Sequence, residues 1–258
     1  MTNYQFLQKY LDLQNGVTYS QLTEIGFAKL GYCQDDSSPF WNLALVNNSL
    51  SEEQLIKIES YFKSLDRKST VYFESRANLN PLVNFLEQHG YKKINEDSWM
   101  FYEEVMSNET SHASAKEIKT EEDLKTFLRI FDASYQRNDP QNPYGELGDY
   151  LKLAERAWHR FGNTDRLEYF LIFKEGEPVA VSTLTSYDGI GYISNVGSLR
   201  SVRGQGYGKA ATLHCVTESI RKGNKLHCLA TEEGTYPNEF YNRIGFKTKF
   251  TSPCYTKS

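Results

Sequence analysis

The 258-residue chain lacks any stretch near the roughly 18–20 consecutive apolar residues of a membrane span. A membrane-embedded role is therefore not expected. Cysteine is sparse: Cys33, Cys215, Cys228 and Cys254 are widely spaced and contain no C-x-x-C. Neither a zinc knuckle nor a disulfide framework follows from that spacing. Seven prolines and 17 glycines are too few for a low-complexity or disordered chain. A basic excess is missing too, with 29 Lys+Arg against 33 Asp+Glu and a net charge of −4. This argues against a general nucleic-acid binder, while leaving room for a local basic pocket that takes a phosphorylated ligand. The opening Met1-Thr2-Asn3-Tyr4-Gln5-Phe6 has no basic segment followed by an apolar one, so a cytoplasmic protein is expected. What is present is 39% hydrophobic residues and 14% aromatics, enough to fill a sizeable core. The length fits one or two domains.

Residues 104–116 are small, polar and aperiodic, the composition of a linker. They divide the chain into expected domains over 1–105 and 115–258. In the first half the pattern predicts a helix near 3–12 and a buried strand over Phe40 to Val46. Ser51-Glu52-Glu53-Gln54 is a capping box opening a helix to Leu65, with Leu55, Ile58 and Phe62 on one face. A strand over 70–73, a short helix over 81–89 ended by Gly90, and a closing strand over 99–102 complete this half. The second half predicts a strand near 116–118, a helix from Thr120 carrying Leu124, Phe127, Leu128 and Phe131, and a Pro-rich break. A helix near 146–161 follows, then strands near 167–174, 178–187 and 190–197. Asp188-Gly189 marks a hairpin between the last two. A glycine-rich turn, a helix to about Lys222, a strand at 226–231, a short helix near 237–243 and a final strand end the chain. The order βααβββαβαβ is α+β, with mostly antiparallel strands before one βαβ crossover.

A weak repeat links the halves. Phe85, Gly90, Tyr91 and Lys92 share their spacing with Phe240, Gly245, Phe246 and Lys247. Each set follows a strand, a polar turn and a proline, which points to a duplicated module.

The chemistry is concentrated in Val196-Gly197-Ser198-Leu199-Arg200-Ser201-Val202-Arg203-Gly204-Gln205-Gly206-Tyr207-Gly208-Lys209, between a predicted strand and a predicted helix. Three alternate glycines allow positive φ and remove Cβ atoms. Their N–H groups can converge on an anion at the positive end of the helix. A tight turn without ligand is the plain alternative, but it does not need three glycines together with Arg203 and Lys209. The P-loop is excluded, because Gly204 and Gly208 enclose three residues and Ala210 follows Lys209. The dinucleotide fingerprint is excluded, because Lys209 stands where its third glycine belongs and the loop comes late in the chain.

Arg203-Gly204-Gln205-Gly206-Tyr207-Gly208 resembles the acetyl-CoA-binding R/Q-x-x-G-x-G/A signature of the GCN5-related N-acetyltransferase (GNAT) family. The match falls on Arg203, Gly206 and Gly208. Val196, Gly197 and Ser198 resemble the end of the family's fourth strand, whose backbone pairs with pantetheine. Arg200 stands where many members have proline. Tyr241-Asn242-Arg243-Ile244-Gly245-Phe246 is similar to the family's Tyr-x-x-x-Gly-Phe element, and Asn238 lies where members often place a cofactor-binding Asn. The resemblance covers about residues 115–251. It implies a GNAT-like, mostly antiparallel mixed sheet flanked by helices. The first half, with Gly90-Tyr91 but no R-x-x-G-x-G and with Leu86 in the place of Tyr241, resembles a degenerate copy. Two tandem copies are thus expected.

The resemblance further implies acetyl-CoA as cosubstrate, no metal, and an N-acetyltransferase acting on a small-molecule, amino-acid or peptide amine. Arg203, Gly204, Gln205, Gly206, Tyr207, Gly208 and Lys209 would bind the cofactor, with the amides of Gln205 to Lys209 holding the pyrophosphate. A backbone N–H near Val196, Gly197 or Ser198 would stabilise the oxyanion. Tyr241 would protonate the leaving thiolate, or alternatively is a core aromatic. An alkylamine titrates near 10, so the site must desolvate it or supply a base. Glu232 and Glu233 could relay that proton or form a solvated turn. Asn195 offers no carboxylate on the fourth strand. Acceptor choice would fall to the loop Tyr135 to Glu146, with Asp139, Tyr144 and Glu146 suiting a cationic amine; a solvated loop is the alternative. His214-Cys215 and His227-Cys228 suggest a metal, but sequence neighbours point apart on helices and strands. A non-catalytic CoA-binding module and an interaction protein are the competing classes.

Overall fold

The computed structural model describes residues 1–104 and 113–258. Of the expected linker, residues 105–112 lie outside the described residues. The chain divides into two compact units, Met1–Trp99 with Lys249–Ser258, and Met100–Thr248.

The first unit opens with α1 (Asn3–Gln14). Thr2 and Gln5 cap it reciprocally, and Phe6, Leu7, Tyr10 and Leu11 are buried along it. A hairpin of β1 (Gln21–Glu24) and β2 (Ala28–Tyr32) turns at Gly26, whose φ is +80°. Then come β3 (Leu43–Val46), α2 (Glu52–Ser64), β4 (Thr70–Tyr72), α3 (Asn80–Gln88) and β5 (Tyr91–Tyr102). β2 is antiparallel to β1 and β3, and β3 is parallel to β4. Leu30, Val46, Leu55, Ile58, Phe62, Val71, Leu82 and Leu86 form the core beneath α2 and α3.

The second unit contains β6 (Ser114–Glu117), α4 (Glu121–Ser134), α5 (Tyr150–Phe161), β7 (Leu167–Lys174), β8 (Glu177–Tyr187) and β9 (Ile190–Ser198). It continues with α6 (Tyr207–Arg221), β10 (Leu226–Glu232), α7 (Tyr236–Arg243) and the first residues of β11 (Phe246–Lys257), which from Lys249 onward belongs to the first unit. β6, β7, β8 and β9 pair antiparallel in that order, and β10 joins β9 in parallel. Asp188 and Gly189 both take positive φ, +46° and +76°, as a two-residue hairpin requires.

The sequence repeat is a repeat of structure. In each half of the sequence an antiparallel set leads to a strand, a helix, a parallel strand, a short helix and a 12-residue strand. Gly90 (φ +82°) and Gly245 (φ +105°) make the same left-handed exit from α3 and α7.

Several expectations are corrected. Pro39–Trp41 is a 3-10 turn with Phe40 exposed, so the expected strand over 40–46 is only Leu43–Val46. The β1–β2 hairpin carries no obvious sequence signal and was not expected. β5 is 12 residues rather than four, since its charged first half is largely exposed. The unit division also differs from the expected domain boundaries. Lys249–Ser258 lies in the first unit, where Cys254, Tyr255 and Thr256 pair with Tyr72, Val71 and Thr70. Among the described residues, no helix is long and apolar enough to cross a membrane.

Candidate active site

β9 is the strand on which the site turns. Thr183 of β8 faces Ser194, but Val181 faces Gly197, so Asn195 and Val196 together oppose Ser182. This is a β-bulge, and Asn195 takes φ +52° at it. The amide of Asn195 is used locally: Tyr150 Oη donates to its Oδ1 at 3.0 Å, and its Nδ2 donates to Thr183 Oγ1 at 3.1 Å. On the other side, β9 pairs with β10 only through Ile190, Gly191 and Tyr192 against Leu226, His227 and Cys228. Both strands run on past that pairing, to Ser198 and Glu232. The two parallel strands therefore part beyond Tyr192 and Cys228.

The glycine loop follows. Gly204 and Gly206 have φ of +74° and +88°, and a Cβ built on either meets no atom within 4 Å. Glycine is required here by conformation, and the space over both residues is open. Gly206 is the N-cap of α6 and brings no side-chain cap. The first-turn N–H groups of a helix have no intrahelical acceptor, and the dipole favours an anion there. Gly208 lies over Phe240, whose ring would meet an added Cβ at 3.6 Å. Tyr207 packs with Ile172, Ala180 and Ala211. Lys174 Nζ donates to Gln205 Oε1 at 2.9 Å, bringing a cation to the loop that sequence reading missed. It lies 31 residues upstream, and only the pairing of β7 with β8 and β9 reveals it. The equivalent helix in the first unit, α2, is closed: Ser51 and Gln54 cap its amides reciprocally. After β3 and β4, Arg76 donates to the Asn47 carbonyl and side chain, so that position is bridged as well. The donor set in the second unit, open amides with a nearby lysine, fits a phosphate or pyrophosphate.

Arg203 behaves differently from its expected part in cofactor binding. Its guanidinium forms an ion pair with Asp139 and donates to the Ser134 carbonyl at 3.3 Å. The α4–α5 loop is tied down elsewhere too. Tyr135 Oη donates to the Val196 carbonyl at 3.0 Å, and Tyr144 Oη accepts the Glu232 N–H at 3.2 Å. Glu146 pairs with Arg137 on the surface at 3.3 Å. Asp139, Tyr144 and Glu146, the loop residues expected to face a cationic amine or solvent, each have a partner within the protein. Gly197 allows α4 to close on β9: a Cβ there would come 2.7 Å from Ser134 Cβ.

Tyr241, on α7, is half-buried and packs with Phe246 and Phe240 at ring distances of 5.8 and 5.0 Å. Burial pushes its phenol well above 10, with Tyr135 and Tyr144 adding to the shift and Thr212 opposing it. Asn238 Nδ2 donates to Thr231 Oγ1 at 3.2 Å and reaches Met100 Sδ at 3.5 Å. Glu232 and Glu233 close β10, where the Thr235 hydroxyl donates to the Glu232 carbonyl at 2.7 Å. The His–Cys pairs are split. Cys215 and Cys228 are buried, and burial raises both thiols, Cys215 to about 12. His214 stands edge-on to Phe170 at 4.6 Å, whereas His227 Nδ1 meets Ser219 Oγ at 2.7 Å. Among the described residues no group of three or more His, Cys, Asp or Glu could hold a metal ion.

Residues 124–246 match the family model described as the acetyltransferase (GNAT) family. This match lies within the second unit. Solved structures similar to the whole chain include a GCN5-related N-acetyltransferase from Kribbella flavida, 19% identical at a TM-score of 0.67, covering 97% of this chain and 94% of that one. A second, from Sphaerobacter thermophilus, is 17% identical at 0.61, covering 97% and 84%. A conserved protein of unknown function from Staphylococcus epidermidis is 14% identical at 0.67, covering 93% and 94%. These likenesses establish a GNAT-like fold over nearly the full chain, which the internal repeat divides into two tandem copies. No curated protein was found to match the chain in sequence.

Proposed function

We propose that the second unit transfers an acetyl group from acetyl-CoA to a primary amine. The observation that carries this reading is the open, uncapped start of α6 at Gly206, directly after a strand that parts from its parallel neighbour. When bound, acetyl-CoA supplies an activated thioester. The main-chain groups of Gly204, Gly206, Tyr207, Gly208 and Lys209 would hold its pyrophosphate, aided by the Lys174 ammonium, whereas the Arg203 and Gln205 N–H groups donate to the Arg200 and Val202 carbonyls. The backbone of Val196, Gly197 and Ser198 would lie along pantetheine and offer an N–H where negative charge develops. Asn238, at the start of α7, would contact the same arm.

Tyr241 is suited to hold a proton at its phenol oxygen throughout the neutral range, since burial raises its pKa. It would release that proton to the departing thiolate. On the acceptor side Glu232 is the carboxylate at the end of β10, able to receive the amine's proton through water. The acceptor is a small-molecule, amino-acid or peptide amine.

Titration calorimetry with acetyl-CoA on the full chain tests the binding half of this reading. One saturable site is expected, and no heat at high cofactor concentration would reject it. Binding with no transfer to any amine would instead support a CoA-binding module.

A further inference from the structure

Between Ser134 and Leu153 one residue alone is buried, and it is an aspartate. Asp139 is 7% exposed, in a loop whose other residues are exposed or partly so. A buried carboxylate needs compensation. Asp139 has it from the Arg203 guanidinium and from the Gln141 N–H at 3.0 Å. Asn138, just before it, takes φ +61°, which turns the chain at this point. Arg203 in turn reaches the Ser134 carbonyl at the end of α4. The loop is thereby pinned to the glycine loop at its middle. On either side of the pin stand Tyr135 and Tyr144, one bound to β9 at Val196 and the other to β10 at Glu232. These two strands are the ones that part.

We propose that Asp139 is a positioning residue for the acceptor side of the site. Its carboxylate takes Arg203 from the glycine loop and so holds Tyr135 and Tyr144 at the ends of the parted strands. The signature arginine then serves the acceptor loop through its side chain, while its N–H donates to the Arg200 carbonyl within the turn. The acceptor-side role rests on the acetyl-CoA reading above, whereas the pin itself does not.

Residue-resolved amide hydrogen exchange on the full chain, with acetyl-CoA titrations alongside, tests this. Asp139→Asn keeps the shape and removes the charge. In it, amides of 136–149 should exchange about tenfold faster or more, the scale of a lost charge-assisted hydrogen bond. The Glu232 amide, 93 residues away in sequence, should lose protection as well, since Tyr144 accepts from it. A merely local role for Asp139 would not move Glu232. Amides of β7 and β8 should be unchanged, which shows the variant is folded. Arg203→Ala should give the same pattern, and Asp139→Glu should restore much of the protection. The acetyl-CoA Kd should stay within about threefold of wild type in both Asp139 variants, and Arg203→Ala should change it no more than Asp139→Asn does.

Unchanged exchange at 136–149 and Glu232 in Asp139→Asn would overturn the proposal. So would a large loss of acetyl-CoA affinity in Arg203→Ala that Asp139→Asn does not share, because the guanidinium would then serve the cofactor. Should wild type fail to bind acetyl-CoA, the acceptor-side role falls with the cofactor reading. The exchange data would still decide whether Asp139 pins the loop.

Discussion

Replacing Gly206 by alanine separates backbone strain from ligand binding. Gly206 sits at φ +88° with nothing within 4 Å of an added Cβ. The substitution therefore meets no steric clash and costs about 1–2 kcal/mol of left-handed strain. For a chain of this size that lowers Tm by roughly 2–8 °C. Gly26, at φ +80° in the β1–β2 turn and equally open, provides a matched control. Gly26→Ala should destabilise the apo protein by a similar amount. The two variants should diverge on adding acetyl-CoA. At about a hundred times its Kd the cofactor stabilises wild type by roughly 2.7 kcal/mol, a rise of about 5–11 °C. Gly26→Ala should keep that increment. In Gly206→Ala the methyl group enters the space over the α6 amides, and a tenfold weaker Kd would cut the gain to about 1.4 kcal/mol, roughly half the shift. Differential scanning fluorimetry or calorimetry reads all four states. An undiminished shift in Gly206→Ala would refute the assignment of the loop as the phosphate site.

Other outcomes follow from the same geometry. Tyr241→Phe should lower acetyl transfer by about 10²-fold or more while leaving the acetyl-CoA-induced Tm shift intact; equal turnover by thiol-release assay removes the acid role. Because the Tyr241 pKa is raised well above 10, loss of its proton should not limit the rate until pH exceeds 10, and a fall in a pH–rate profile near pH 8 that Tyr241→Phe abolishes would contradict this. Burial acts to raise Asp139, but the Arg203 guanidinium and the Gln141 N–H outweigh it and hold the carboxyl below its usual range. Its stabilising effect is present above the unfolded value near 3.9 and lost as pH falls through the folded one, so wild type should lose its advantage over Asp139→Asn in acid unfolding below about pH 4. A fragment beginning at residue 113 should unfold without a cooperative transition in calorimetry. It lacks the Met100–Tyr102 end of β5, which belongs to the second unit, and it leaves Lys249–Ser258 without β4.

Much of the fold was legible because strong local signals agreed with the tertiary structure. The Ser51 capping box, the Asp188-Gly189 hairpin and the helical spacing of Leu124, Phe127 and Phe131 are realised, and Thr120 caps its helix without a reciprocal partner. The Gly90 and Gly245 repeat was readable for the same reason, since each glycine supplies a left-handed helix exit. What stayed hidden was non-local. β5 reads as polar because its first half faces solvent, and β1–β2 has no Asn-Gly or Asp-Gly turn. The assignment of Lys249–Ser258 to the first unit depends on pairing with β4, nearly two hundred residues earlier. In the site, the glycine loop announced itself by spacing. The engagement of Arg203 by Asp139, and of the parted strands by Tyr135 and Tyr144, joins residues about 60 to 90 positions apart. No local pattern records such contacts.

Acetyl transfer at the second unit is decided by product detection. The purified chain would be incubated with acetyl-CoA and a panel of polyamines, amino sugars, amino acids and short peptides. Free thiol would be followed together with the mass of each amine. The account predicts thiol release that depends on one class of amine, with that amine gaining one acetyl group. Both should fall about tenfold in Gly206→Ala at limiting acetyl-CoA. Saturable acetyl-CoA binding with no acetylated product and no amine-dependent thiol release, across the panel, would contradict it.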